Sequence, residues 1–410
     1  MQRLSRSGVL PVLLSSYLVC LPVQIETNFG IRFAPSDIFL ILYVVTAAGS
    51  LRFYRARVFS VWHAAVLLAF AMATFMTALT TGQINQYAIL NKDIGVLTLF
   101  VSYGVIACEC GTWADIRRYL RIFIISVTLI NTCALISYWN LSPWLTNHVF
   151  TINEVYTGRL AGMLVDPNAY GGLLAVAFAI HTMTYFSRKQ IIGGLFGWYI
   201  LPCLLTGVLY TYSRSTWISI TIILAILCVV RPKTALMLWL GIGGAFAALI
   251  ISMDQASLDR MIYFASRPEQ VESRIDIISH ALPMFIKSPL LGIGLSVFND
   301  EYGIIIHNTP VWFLTEFGVA GFLAVAGLYA WIMRVGIQAY KMANADEKPL
   351  LLGVMLGHIA ILGLSMGIEA FYQRHWWLCM AVIIAASTIT RREAARRLDS
   401  VQNAPLSPYI

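Results

Sequence analysis

Residues 199–230 read YILPCLLTGVLYTYSRSTWISITIILAILCVV. Two apolar runs, 193–212 and 215–230, meet at Tyr212-Ser213-Arg214-Ser215-Thr216-Trp217 with almost no loop between them. Each approaches the roughly 20 residues that carry a helix across a bilayer. The pattern predicts a tight membrane hairpin with Arg214 held at its tip, at the membrane–water boundary. The rest of the chain repeats the theme. Of its 410 residues, 59% are hydrophobic and only 12% charged, where a soluble domain carries about 25% charged residues. Mean hydropathy is +0.74. Twelve apolar runs, near 8–24, 34–50, 59–80, 94–110, 119–140, 168–186, 193–212, 215–230, 234–252, 304–333, 350–367 and 371–390, predict an all-α polytopic membrane protein.

Charge orients these runs. With the N-terminus in the cytoplasm, Arg52, Arg55, Arg57, Arg117, Arg118, Arg121, Arg188, Lys189, Arg334, Lys341, Lys348, Arg391, Arg392, Arg396 and Arg397 all fall on the cytoplasmic side. Both ends then lie inside, and 391–410 reads as a cytoplasmic tail. The pI of about 9.1 is thereby topological and calls for no nucleic acid. Arg3 and Arg6 ahead of the first run imitate a signal peptide. No A-x-A site follows, so the run reads as a retained helix. The seven cysteines sit in or beside apolar runs and read as small hydrophobes. No internal repeat and no buried acidic pair is evident, which argues against a secondary transporter.

The exceptions to the charge rule lie outside: Arg32, Lys92, Arg159, Arg214, Arg260, Arg267, Arg274, Lys287 and Arg374. Most occupy two loops, 141–167 and 253–303, longer than a helix connection needs. In RLAGMLVDPN, residues 159–168, Asp166 and Pro167 read as a helix start, cap and first turn. Arg159 reads as an anion ligand or as a snorkelling side chain. Arg214 can make bidentate contacts to phosphate, with Tyr212 and Ser213 adding hydroxyls, or it is a solvated turn residue. Ser273 to Asp276 resembles a capping box opening a short surface helix, with Arg274 at its start. His307-Asn308 heads a long apolar run, and Gly318 and Gly321 follow one turn apart, a spacing that admits a neighbouring helix. A lone histidine is more often structural. Sharing a face with three arginines makes His307 the candidate proton acceptor. Glu369, Tyr372, Gln373, Arg374 and His375 form a last exterior turn; Arg374 and His375 bind substrate or anchor the helix end, and Trp376 and Trp377 fit an interfacial aromatic belt.

There is no P-loop, D-x-D, H-E-x-x-H or Cys-x-x-Cys, so nothing points to an ATPase, a nucleotide-sugar site, a metal or any other cofactor. At these residues the chain resembles the O-antigen ligase/polymerase family. The likeness runs through about 159–325: Arg159 ahead of Asp166-Pro167-Asn168, Tyr212-Ser213-Arg214, Arg274 ahead of PLLGIG at 289–294, and H-N-x9-G-x-x-G from His307 to Gly321. The resemblance divides the chain into N-terminal membrane helices at 1–158, a ligase/polymerase core at 159–325 containing the loop 253–303, C-terminal helices at 326–390 and the tail.

It implies an all-helical fold of the GT-C type in the bacterial inner membrane, a periplasmic site and a metal-independent transfer. The donor would be a glycan on undecaprenyl pyrophosphate and the acceptor lipid A-core oligosaccharide. Arg159, Arg214 and Arg274 would hold the pyrophosphate, with Tyr212, Ser213 and Asn308 assisting. His307 would act as base or orient the acceptor, and Asp166, Arg374 and His375 are further possibilities. A polymerase joining two lipid-linked glycans stays open beside the ligase, as do a transporter and an inactive assembly scaffold.

Overall fold

Thr112, Asp166, Ser213 and Asn308 each begin a helix for the same reason. The first amides of a helix lack intrahelical partners, and a short polar side chain supplies one. Thr112 accepts from the Asp115 amide (3.2 Å), Asp166 from Asn168 (2.7 Å), Ser213 from Thr216 (3.3 Å) and Asn308 from Val311 (3.1 Å). The expected start at Asp166-Pro167 is met, with Pro167 in the first turn.

The computed structural model describes residues 8–26, 32–48, 58–83, 85–86, 88–139, 141–142, 151–154, 157–164, 166–252, 255–266 and 268–402. Along the chain run α1 (Val9–Cys20), α2 (Pro35–Ala48), α3 (Val61–Thr81), α4 (Ala88–Glu109, opening with a π-turn), α5 (Trp113–Tyr138), α6 (Pro167–Tyr185), α7 (Gly194–Tyr210), α8 (Arg214–Val230) and α9 (Pro232–Ser252). Then come α10 (Gln255–Ser266), α11 (Pro268–Lys287), α12 (Val297–Tyr302), α13 (Thr309–Met342), α14 (Lys348–Ser365) and α15 (Arg374–Gln402). Each of the twelve apolar runs coincides with one of these helices. Among the described residues five, α3, α4, α5, α13 and α14, are long and apolar enough to cross a membrane. The protein is an all-α membrane protein. Two short antiparallel hairpins, β1 (Ile25–Glu26) with β2 (Arg32–Phe33) and β3 (Thr151–Glu154) with β4 (Thr157–Leu160), were not anticipated.

Helix α6 sits at the centre, packed on α7, α8 and above all α14. Small residues make this possible. A Cβ at Gly363 would lie 2.6 Å from the Ser219 amide nitrogen, so the α14 and α8 backbones touch there. In lipid, helix association comes from such van der Waals fit, because lipid tails are as apolar as Leu. Peripheral α3 is the contrast: Leu68, Phe75 and Leu79 stay more than half exposed, as suits an apolar solvent.

Helix α13 is broken. Gly318 has φ 66° and ψ −171°, and the broken ladder is mended from outside. Pro289 and Leu290 carbonyls accept from the Val319 and Ala320 amides (2.9 and 3.1 Å), while the Ile293 and Gly294 amides donate to the Thr315 and Glu316 carbonyls (3.0 and 3.1 Å). A backbone break within an apolar environment is tolerated only with such replacement partners. The PLLGIG turn and the G-x-x-G segment are therefore one unit. This corrects the reading of Gly318: what approaches it most closely is the 289–292 turn, where a Cβ would lie 2.4 Å from the Leu290 carbonyl carbon. A second correction concerns Ser273. Helix α11 begins at Pro268, so Ser273 to Asp276 lies inside it and Arg274 is not at its start. The S-x-x-D spacing also fits a helix interior, and Pro suits the first turn better.

Candidate functional site: an open arginine cluster and a buried ionic pocket

One end of the bundle gathers the starts of α6, α8 and α13 with the end of α14. Arg159, on β4, is 5% exposed. Its Nε donates to the Thr211 carbonyl (2.9 Å) and its Nη2 to Asn168 Oδ1 (3.2 Å). The same Asn168 oxygen accepts from Ser213 Oγ (2.8 Å). Asn168 thus ties Arg159 to the hairpin tip carrying Arg214. Tyr212 stands at φ 48°, an uncommon conformation for a bulky side chain, and turns the chain sharply into α8.

Arg214 donates through Nη1 to the Ser266 carbonyl at the end of α10 (3.3 Å). Its Nη2 is buried and has no hydrogen-bond partner among the described residues. Arg274 is close enough for charge coupling. Burial, and then the Arg214 charge, push the Arg274 guanidinium below its ordinary value, while Asp166 opposes them. Arg159, Asp166, Ser213, Arg214 and Arg274 are thus brought together.

His307 is exposed, one residue before the cap of α13. Thr309 Oγ1 donates to the Ile368 carbonyl (2.7 Å), and Gly367 abuts Ser215, where a Cβ would lie 2.6 Å from Oγ. The joint between α14 and α15 therefore links His307 and Asn308 to Arg214. Arg374 and His375 sit differently. Arg374 pairs with Asp37 (2.8 Å), and His375 is 2% exposed. Lys287 is exposed; Arg267 and the side chain of Arg260 lie outside the described residues. Trp376 and Trp377 are 3% and 0% exposed, donating to His358 Nδ1 and the Phe371 carbonyl, so the belt reading fails: both rings fill the protein interior.

Beside His307 lies a feature that sequence reading missed. Lys92 pairs with Glu369 and stands 5.1 Å from the Trp312 ring centroid and 5.0 Å from that of Tyr372. Glu316, 3% exposed, accepts from Trp312 Nε1 and the Ser296 amide (2.8 and 2.9 Å). A buried carboxylate, Glu316, therefore stands beside the Lys92–Glu369 ion pair. The signal was a carboxylate inside the 304–333 apolar run, which by itself marks function.

No curated protein matches the chain. Residues 199–326 match the family model described as O-antigen ligase. The match takes in Arg214, Arg274, His307, Asn308 and Gly318 and leaves Arg159 and Asp166 outside. Over this segment the chain is similar to the O-antigen ligase family, whose members are membrane glycosyltransferase-like ligases and polymerases.

Proposed function

We propose that the protein moves a glycan from undecaprenyl pyrophosphate to lipid A-core oligosaccharide, at the periplasmic face of the bacterial inner membrane, through a GT-C-type bundle of twelve spans with both termini cytoplasmic. The observation that carries this is the Arg214–Arg274 pair. The two cations are close enough for their charges to couple, and one Arg214 guanidinium nitrogen is buried without an acceptor among the described residues. Like charges held together call for an anion, and guanidinium forks match phosphate oxygens.

The chemistry follows from that charge. The acceptor hydroxyl oxygen bonds to the anomeric carbon as the bond from that carbon to the phosphate oxygen breaks. The electron pair leaves with the lipid pyrophosphate, where Arg214 and Arg274 meet the growing negative charge, and Arg159 holds the tip through Asn168. One preorganised donor of this kind supplies about 3–4 kcal/mol. The hydroxyl proton passes to His307, whose exposure leaves room for an acceptor. A single displacement inverts the anomeric centre, and no step calls on a metal.

The test is reconstitution with undecaprenyl-pyrophosphate glycan, with and without lipid A-core. Product on lipid A-core is expected, and His307→Ala is expected to abolish it while donor binding persists. Chains that lengthen on the donor alone would make the protein a polymerase. A wild-type rate in His307→Ala would remove the histidine from the mechanism.

A further inference from the structure

Lys92 breaks the charge rule, lies on the π-turn that opens α4, and is buried. A buried ammonium is costly unless it is paired. Its partner is Glu369, at the joint between α14 and α15. The same ammonium stands 5.1 Å from the Trp312 ring centroid and 5.0 Å from that of Tyr372, within the roughly 6 Å over which an aromatic face attracts a cation. Lys92 thus holds two segments at once: the first turn of α13, through Trp312, and the joint, through Glu369 and Tyr372. Tyr372 also donates back to the Lys92 carbonyl (3.4 Å).

These two segments carry the candidate site. Thr309 Oγ1 donates to the Ile368 carbonyl (2.7 Å) and accepts from the Ala370 amide (2.8 Å). Thr309 therefore grips the residues on either side of Glu369, and it stands two places after His307. The Trp312 amide donates to the Asn308 carbonyl (2.9 Å). Two places before Glu369, Gly367 abuts Ser215, next to Arg214. A shift of Glu369 has to move Thr309 on one side and Gly367 on the other.

Lys92 acts on these segments and not on substrate. The space it lines with Ser296, Glu316 and Glu369 is about 10 Å³, room for about one water. Stability alone does not account for the pair either. Apolar residues of the same volume often hold a fold as well as a buried ion pair does, and the best-attested use of such a pair is to fix one arrangement. Apolar contacts slide. One ammonium between a carboxylate and two ring faces has a single best place.

We infer that Lys92 and Glu369 are positioning residues for the transfer: from outside the 199–326 segment they set where His307 stands relative to Arg214. This rests on the function proposed above.

The test uses the full-length protein in proteoliposomes, with undecaprenyl-pyrophosphate glycan and whichever acceptor the wild type uses. It compares Lys92→Met, Glu369→Gln and the double variant. Each single variant strands one charge and is expected to lower the melting temperature. The double variant removes both charges, so its melting temperature returns toward that of the wild type. Per folded molecule, kcat is expected to fall about tenfold in all three, with the donor KM within about twofold, because misplaced groups slow the chemical step and leave donor binding intact. A double variant that regains kcat along with stability overturns the inference, since the pair then only holds the fold. Wild-type kcat in the single variants overturns it as well. Amide hydrogen exchange over 304–312, measured on the same samples without substrate, is expected to quicken in all three; unchanged exchange overturns the inference whether or not transfer is seen. Failure of the donor reading shows separately, as a wild type that transfers nothing, and exchange alone then decides.

Discussion

Arg117 and Arg214, at different ends of the bundle, are treated in different ways. At one end Arg117, at the start of α5, pairs with Glu347, and Lys189 reaches the same Glu347 (3.1 Å) and Asp346 (3.5 Å). Arg117 also donates to the Lys189 carbonyl (2.8 Å) and Arg121 to that of Ile191 (2.8 Å). Cation and carboxylate alternate, and the loops after α6 and before α14 are clamped to α5. At the other end Arg374 is likewise closed by Asp37, whereas Arg214 lies within charge-coupling reach of Arg274 and has one buried nitrogen without a hydrogen-bond partner among the described residues. Charges that hold structure are closed by counter-charges already in the chain. On the proposed reading, Arg214 is left open for a ligand, at a cost in stability.

The largest effect is expected where the open end is built. Gly318→Val forces a β-branched residue to φ 66° against the Leu290 carbonyl. Strain and overpacking together are expected to cost about 4 kcal/mol. Thermal unfolding and transfer should both fail, and normal values of both would show the 289–294 turn to be dispensable. Arg214→Ala should lower transfer about 100-fold or more, roughly 3 kcal/mol of barrier, with the melting temperature held or raised because a repulsion with Arg274 is removed. A large drop in melting temperature would make Arg214 a structural residue and erase the contrast. Glu347→Ala should do the reverse. Leaving Arg117 without its partner is expected to cost about 2 kcal/mol, below the 3–5 of a fully buried pair because Arg117 is partly exposed. Transfer per folded molecule should be unchanged, and a fall in it would mean that the clamp is coupled to the site.

Much of the molecule was legible along the chain. Hydropathy is a local property, so each apolar run could be read in place and coincides with a helix. Asp166-Pro167 announced the start of α6 because capping involves residues within one turn. The readings that failed depend on neighbours far along the chain. Trp376 and Trp377 carry the composition of an interfacial belt, yet α14 and the Phe371 turn enclose them. Ser273 to Asp276 carries the pattern of a helix start, but Pro268 had already begun the helix. Lys92 and Glu369 lie 277 residues apart, and no spacing announces such a pair.

By itself the sequence determined the apolar helices and the His307-Asn308 and Pro289–Gly294 motifs. Helix formation and membrane affinity depend on each residue's own side chain and those within a few turns. Only the tertiary structure decided which arginines stay open, that the 289–294 turn mends the break at Gly318, and that Glu316 and Ser296 close a polar pocket beside His307. Pairing, burial and backbone repair depend on which distant residues meet, and that is settled when the helices pack.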